Sequence, residues 1–170
     1  MAKYLADLSG KISEVQPINV SAGVADAGKM AQLDANGQWH ISMMPTGIGA
    51  EVTVVNAFEN LAAGDFCNLF LDSAVCKSRK ADATTNAKPA HGFTLVAVTS
   101  PASSTIYGIS TKNTALSTLT IGADYWLATT AGAVTTTAPS TAGNLVQELG
   151  TAESATAMVF SNVKTKWTKV

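Results

Sequence analysis

A single arginine, Arg79, stands among 170 residues, and charged side chains of both signs make up only 14% of the chain. With a formal net charge of −1, there is no basic face to displace counterions from phosphate. A dedicated nucleic-acid binder is therefore excluded. Lys, Glu and Arg are too sparse for a coiled coil or a long solvated helix bundle. No run of 18 apolar residues occurs, so no transmembrane helix and no membrane partner is expected. The opening MAKYLADLSGKISEVQ lacks the unbroken apolar core of an export signal, so synthesis in a cytoplasm, a bacterial one, without export is expected. Two cysteines, Cys67 and Cys76, are too few for a disulfide framework.

What is present is apolar and small. Hydrophobic residues reach 46%, and 28 Ala with 21 Thr account for 49 of the 170 positions. That is too apolar for general disorder. The character changes near residue 50. Residues 1–50 carry short apolar fragments broken by Ser9-Gly10, Pro17, Gly23, Gly28, Asn36-Gly37, Pro45, Gly47 and Gly49. They have too few clustered large side chains to close a core, so they are read as an extended arm. Local patterns there suggest a turn or two of helix over Met1–Leu8, a short strand at Ile18–Val20 and a helical turn at Met30–Asp34.

Residues 51–170 show short alternating runs every eight to twelve residues with turn signals between them. The runs are Glu51–Asn56, Asp65–Leu71, Val75–Lys80, Gly92–Thr99, Thr105–Ser110, Asp124–Thr130, Ala133–Thr137, Asn144–Leu149, Ala157–Ser161 and Val163–Thr168. A helical turn is expected only near Leu61–Ala63. β-Branched and aromatic side chains suit a pleated, half-buried surface. The predicted class is all-β, a compact barrel or sandwich of about nine or ten short strands. Lys164, Lys166 and Lys169 around Trp167 read as protection of a terminal edge strand.

Chemical motifs are weak. Gly23-Val24-Ala25-Asp26-Ala27-Gly28-Lys29 matches the start of a phosphate-binding loop, but Met30 replaces the Ser or Thr that would hold magnesium. Asp26 would also set a carboxylate among the amides meant for phosphate. Asp34-Ala35-Asn36-Gly37 opens like a calcium loop and lacks the later ligands, so a tight turn with Gly37 at positive φ is expected. A hairpin turning on Asp72-Ser73 would pair position 69 with 76 and place both cysteines on one face as small buried residues. His40 and His91 are too remote for a zinc cluster. His91 has Asp82 as a possible structural partner, with no placed nucleophile beside it. No metal, no cofactor and no enzymatic activity are expected.

The most unusual stretch is Trp39-His40-Ile41-Ser42-Met43-Met44-Pro45. Large apolar groups on an arm need a surface to bury them. Two covers are open: the chain's own barrel, or a neighbouring subunit. The second makes Trp39, Ile41, Met43 and Met44, with Leu33, interface anchors, aromatic and Met groups being enriched at interface cores. Pro45, Gly47 and Gly49 would then form the hinge from arm to barrel.

Three stretches resemble tailed-phage virion proteins of the head-decoration and head-fibre kind. One runs from Asp26-Ala27-Gly28-Lys29 through Met43-Met44-Pro45-Thr46-Gly47-Ile48-Gly49. A second runs from Arg79-Lys80-Ala81-Asp82 to Lys88-Pro89-Ala90-His91-Gly92-Phe93. The third joins Leu119–Leu127, Gly132–Pro139, Val146–Gly150 and Ala155–Ala157. The resemblance implies a trimer of β-barrels whose N-terminal arms grip the major capsid protein on the outside of the head. The end of the sequence at Val170, without a repetitive shaft, favours a compact decoration (cement) protein. The base of a head or tail fibre is the alternative, and a carbohydrate-binding module a third.

Overall fold

The computed structural model describes residues 3–8, 10–35, 37–44, 51–161 and 167–168. The chain divides into two compact units, Met1–Gly49 and Ala50–Val170.

The first unit opens with an antiparallel hairpin of β1 (Tyr4–Leu8) and β2 (Lys11–Val15), in register from Tyr4↔Val15 to Leu8↔Lys11. The helical turn expected over Met1–Leu8 is thus replaced by strand across Tyr4–Leu8. The spacing of Tyr4, Leu5 and Leu8 suited a helix, but pairing with β2 satisfies the backbone and wins. The strand expected at Ile18–Val20 reduces to one parallel bridge, Ile18↔Ala31. Ile18 N–H donates to the Met30 carbonyl at 3.0 Å, and Gln32 N–H to the Ile18 carbonyl at 2.8 Å. Those bonds commit the Met30–Asp34 backbone across the unit, so the helical turn expected there does not form. Short 3-10 turns cover Gly23–Asp26 and Ile41–Met43.

The second unit is all-β. Its strands are β3 (Val52–Ala57), β4 (Phe66–Asp72), β5 (Val75–Lys80), β6 (Gly92–Phe93), β7 (Ser103–Tyr107), β8 (Thr111–Asn113), β9 (Asp124–Leu127), β10 (Val134–Thr135), β11 (Leu145–Val146), β12 (Glu148–Ser154), β13 (Ala157–Phe160) and β14 (Trp167–Thr168). A closed barrel runs β3-β5-β4-β6-β7, and a five-stranded antiparallel sheet runs β10-β9-β12-β13-β8. Among the described residues β11 pairs with β14. The barrel closes where β3 meets β7 antiparallel and β5 parallel.

Five strands leave a narrow interior, and a few apolar side chains fill it. Ala57, Leu61, Cys67, Val98 and Ile106 are buried there, with Val55 and Leu69 against them. The buried Ser78 and Ser104 hydroxyls bond to each other at 2.8 Å, and Ser104 Oγ also donates to the Val55 carbonyl. Alternation along β4 sends Cys67 into the barrel and Phe66 to the other side. Phe66 joins Phe93, Phe160, Met158, Tyr125, Leu127 and Leu149 in the larger core between barrel and sheet. Phe66 and Phe160 meet edge to face, with ring centroids 5.5 Å apart.

Several expected strands are shorter than their sequence runs. In Gly92–Thr99 only Gly92–Phe93 is ladder, because Thr94 Oγ1 bonds the Val96 carbonyl at 3.0 Å and bends the chain. Asp124–Thr130 stops at Leu127, where Ala128 N–H turns to the Ala133 carbonyl. Leu61 makes a bridge to Val98 in place of the helical turn expected at Leu61–Ala63. Val163 to Lys166, with Lys164, falls outside the described residues, as does Lys169.

The β4–β5 hairpin turns on Ser73 and Ala74, both at positive φ, and its register sets Leu71 opposite Cys76. The expected pairing of 69 with 76 is therefore off by one step on each strand. Cys67 is buried and Cys76, near the hairpin tip, is exposed. Burial pushes the Cys67 thiol up to about 12, helped by the nearby Asp65 and Glu59 carboxylates. Thiolate is the reactive form. At pH 8 a thiol reagent is expected to modify one cysteine per folded chain, at Cys76, and two after denaturation. Rapid modification of Cys67 in the native protein would contradict this burial.

Candidate interaction surface

The N-terminal unit has no buried residue among those whose burial is described. Many of its large apolar side chains face outward: Val24 is 94% exposed, Ile12 77%, Leu5 71% and Trp39 54%, and Val20, Met30, Leu33 and Met44 are exposed too. Backbone and polar side chains hold this surface in shape.

Asp34 organises the turn that precedes Trp39. Its carbonyl accepts Gly37 N–H at 3.1 Å, its carboxylate accepts Gln38 N–H at 2.9 Å, and its own N–H donates to the Gln38 carbonyl at 2.8 Å. Gly37 sits at φ +73, the left-handed conformation that glycine adopts without a Cβ penalty. The expected tight turn is present. Past Trp39, Ser42 Oγ accepts Ser21 N–H at 2.8 Å and lies 2.8 Å from His40 Nδ1, which also accepts Ser42 N–H at 3.2 Å. Because Nδ1 accepts Ser42 N–H it carries no proton, so the Ser42 hydroxyl donates to it. The Ile41–Met43 turn is thereby tied to the segment at Ser21.

The Gly23–Lys29 motif is filled by its own side chain. Asp26 accepts Ala22 N–H at 2.5 Å and pairs with Lys29 Nζ at 2.6 Å. The Ala22 amide first, and then Lys29, hold its carboxyl below the usual range. A carboxylate occupies the place a phosphate would need.

Among the expected anchors, Trp39, Leu33 and Met44 lie exposed and Met43 half-buried. The side chain of Ile41 and the hinge residues Pro45, Gly47 and Gly49 fall outside the described residues. Leu5, Ile12, Val20, Val24 and Met30 were not among the expected anchors. For Leu5 and Ile12 the signal lay in the hairpin register, which sets both on one face.

The barrel unit also exposes large apolar side chains. Val52, Val54, Phe58, Leu71 and Val75 are exposed. Phe58 meets Phe70 edge to face at 5.2 Å, with Arg79 4.2 Å over Phe70 and Lys77 5.8 Å over Phe58. Arg79 is turned to internal use, for its Nε donates to the buried Asn68 at 2.9 Å and its Nη2 to the Ala87 carbonyl at 3.0 Å. Asn68 in turn donates to the Pro89 carbonyl at 2.8 Å, and His91 Nδ1 accepts Leu69 N–H at 3.0 Å. Asp82, named as a partner for His91, takes Lys88 at 3.0 Å and the Thr84 hydroxyl and N–H. Burial pushes its carboxyl up, and these donors outweigh that and hold it below the usual range. The 81–91 loop is thus pinned as structure. Among the described residues no three His, Cys, Asp or Glu side chains group as a metal site.

Compared with known proteins, the chain matches no protein-family model, no curated protein and no solved structure.

Proposed function

We propose that this chain is a structural protein of a phage virion, a capsid decoration protein that attaches through its N-terminal unit and carries the β-barrel unit on the head. One observation carries the reading: a unit with no described buried residue keeps Trp39, Leu33 and Met44 in water. Exposed apolar side chains of this size mark a surface that docks on another molecule. The barrel unit has its own core and needs no such cover.

The mechanism is adhesion. A stable interface buries roughly 1,600 Å² in total, and apolar area removed from water contributes about 25 cal/mol per Å². Trp39 is the largest single contributor, since truncation of central aromatic anchors commonly costs more than about 2 kcal/mol. Repetition over a capsid lattice, and trimerisation of the barrels, would add avidity without new contacts.

Trp39→Ala combined with Met44→Ser is expected to weaken binding to capsids stripped of this protein by about 30-fold or more, read by co-sedimentation. The thermal unfolding of the barrel unit should not change. Unaltered capsid binding by this variant would overturn the assignment of the anchors. Antibody labelling of virions separates head decoration, with many copies on the shell, from a fibre base with few.

A further inference from the structure

We infer that β1 is a self-pairing edge, through which a second copy of this chain adds its own β1–β2 hairpin to form a four-stranded sheet in the order β2-β1-β1-β2. The juxtaposition behind this is the free edge of β1 with Lys3 and Asp7 flanking Leu5.

Among the described residues, β1 and β2 pair only with each other. Two strands alone are marginal in water, and three or more with an apolar face are needed for independent stability. The direction of the unpaired backbone groups follows from the register. Only two residues separate Leu8 from Lys11, so that pair must exchange both of its hydrogen bonds. Hydrogen-bonded pairs then alternate, at Leu8↔Lys11, Ala6↔Ser13 and Tyr4↔Val15. The N–H and C=O groups of Lys3, Leu5 and Asp7 point the other way, to the open edge.

Charge selects one register on that edge. Antiparallel pairing with Leu5 opposite Leu5 of the second copy sets the Lys3 position opposite the Asp7 position twice, by symmetry. Sliding by two residues sets one of these charged positions against Leu5. Sliding by four sets lysine on lysine or aspartate on aspartate. Parallel pairing in register also stacks like on like. The β2 edge offers nothing comparable, because its outward groups belong to Ile12 and Glu14, and any self-pairing sets Ile12 against Glu14 or like against like. Cross-strand opposite charges favour pairing and like charges oppose it. The charges at the β1 edge thus reject other registers while admitting one.

The pairing also accounts for the exposed face of the hairpin. By this register Leu5, Ile12 and Glu14 share that face. In the four-stranded sheet, Leu5 and Ile12 from both copies line up as one stripe. Lys3, now paired with Glu14 at 2.7 Å, stays beside that partner.

The test is sedimentation velocity of the full chain in free solution over a concentration series. Wild type is expected to show a concentration-dependent association step beyond any oligomer formed by the barrels. Lys3→Asp and Asp7→Lys are each expected to weaken that step by roughly 10-fold or more, since each places two like-charge pairs across the edge. An equimolar mixture of the two variants should restore it, because one chain is then acidic at both positions and the other basic at both. Absence of the step in wild type, its persistence in both single variants, or no recovery in the mixture would overturn the proposal. No capsid enters this assay, so its failure is distinct from a failure of head binding.

Discussion

Phe160→Ala is expected to destabilise the barrel unit by about 3–5 kcal/mol, the range for removing a fully buried aromatic ring without collapse of the cavity. Phe160 lies on the open sheet and is wholly buried. It packs edge to face on Phe66 at 5.5 Å and on Phe93 at 6.3 Å, both from barrel strands. Phe66 and Phe93 also touch each other, with centroids 5.8 Å apart. The three rings join barrel and sheet into one core, so their loss should lower a single cooperative transition rather than release the sheet alone. Denaturant unfolding in a Trp39→Phe, Trp167→Phe background, followed both by Trp126 fluorescence, from the sheet, and by Cys67 accessibility, from the barrel, checks this. Two separate transitions would show that the barrel and the sheet fold independently.

Gly150→Ala is expected to be of similar size and for a different reason. Gly150 lies in β12 at φ +144, a backbone conformation that side-chain-bearing residues rarely adopt. A Cβ built there would stand 2.1 Å from the Val159 carbonyl oxygen on β13. That neighbour is backbone, so relief requires moving a paired strand. The register slip between Glu148 and Gly150 against β9 marks the same irregularity. A loss of roughly 3 kcal/mol or more is expected from strain and overpacking together. A melting temperature unchanged from wild type would show that the two strands can part without cost.

The barrel unit was largely legible because period-two alternation and β-branched content are local signals. Val75–Lys80 appears as read, and most other strands are displaced or trimmed by a few residues. What escaped is set by distant partners. β8, Thr111–Asn113, has no apolar residue to announce it, and its buried Asn113 is held by donating to the Gly64 carbonyl at 2.9 Å. Closure into a barrel, left open against a sandwich, depends on β3 reaching both β5 and β7, contacts that no local window contains. Both cysteines do lie on one face of the hairpin, because a shift of one residue on each strand keeps the alternation, but Cys76 sits near the hairpin tip and is exposed, not buried as expected.

The N-terminal unit was legible in its composition and not in its shape. Scarcity of clustered apolar mass pointed to a unit without a core of its own, and none of its residues whose burial is described is buried. Its hairpin was hidden because Tyr4, Leu5 and Leu8 also satisfy a helical spacing, and only the partner Lys11–Val15 decides between the two.

The most direct test of the attachment claim is removal of residues 1–45 from the protein, followed by cryo-imaging of stripped capsids incubated with the remainder. The barrel unit keeps both of its buried clusters in this truncation. The expected result is a folded, cooperatively melting protein that leaves the capsids bare at concentrations where the full chain covers them. Full decoration by the truncated protein would contradict the role given to the N-terminal unit.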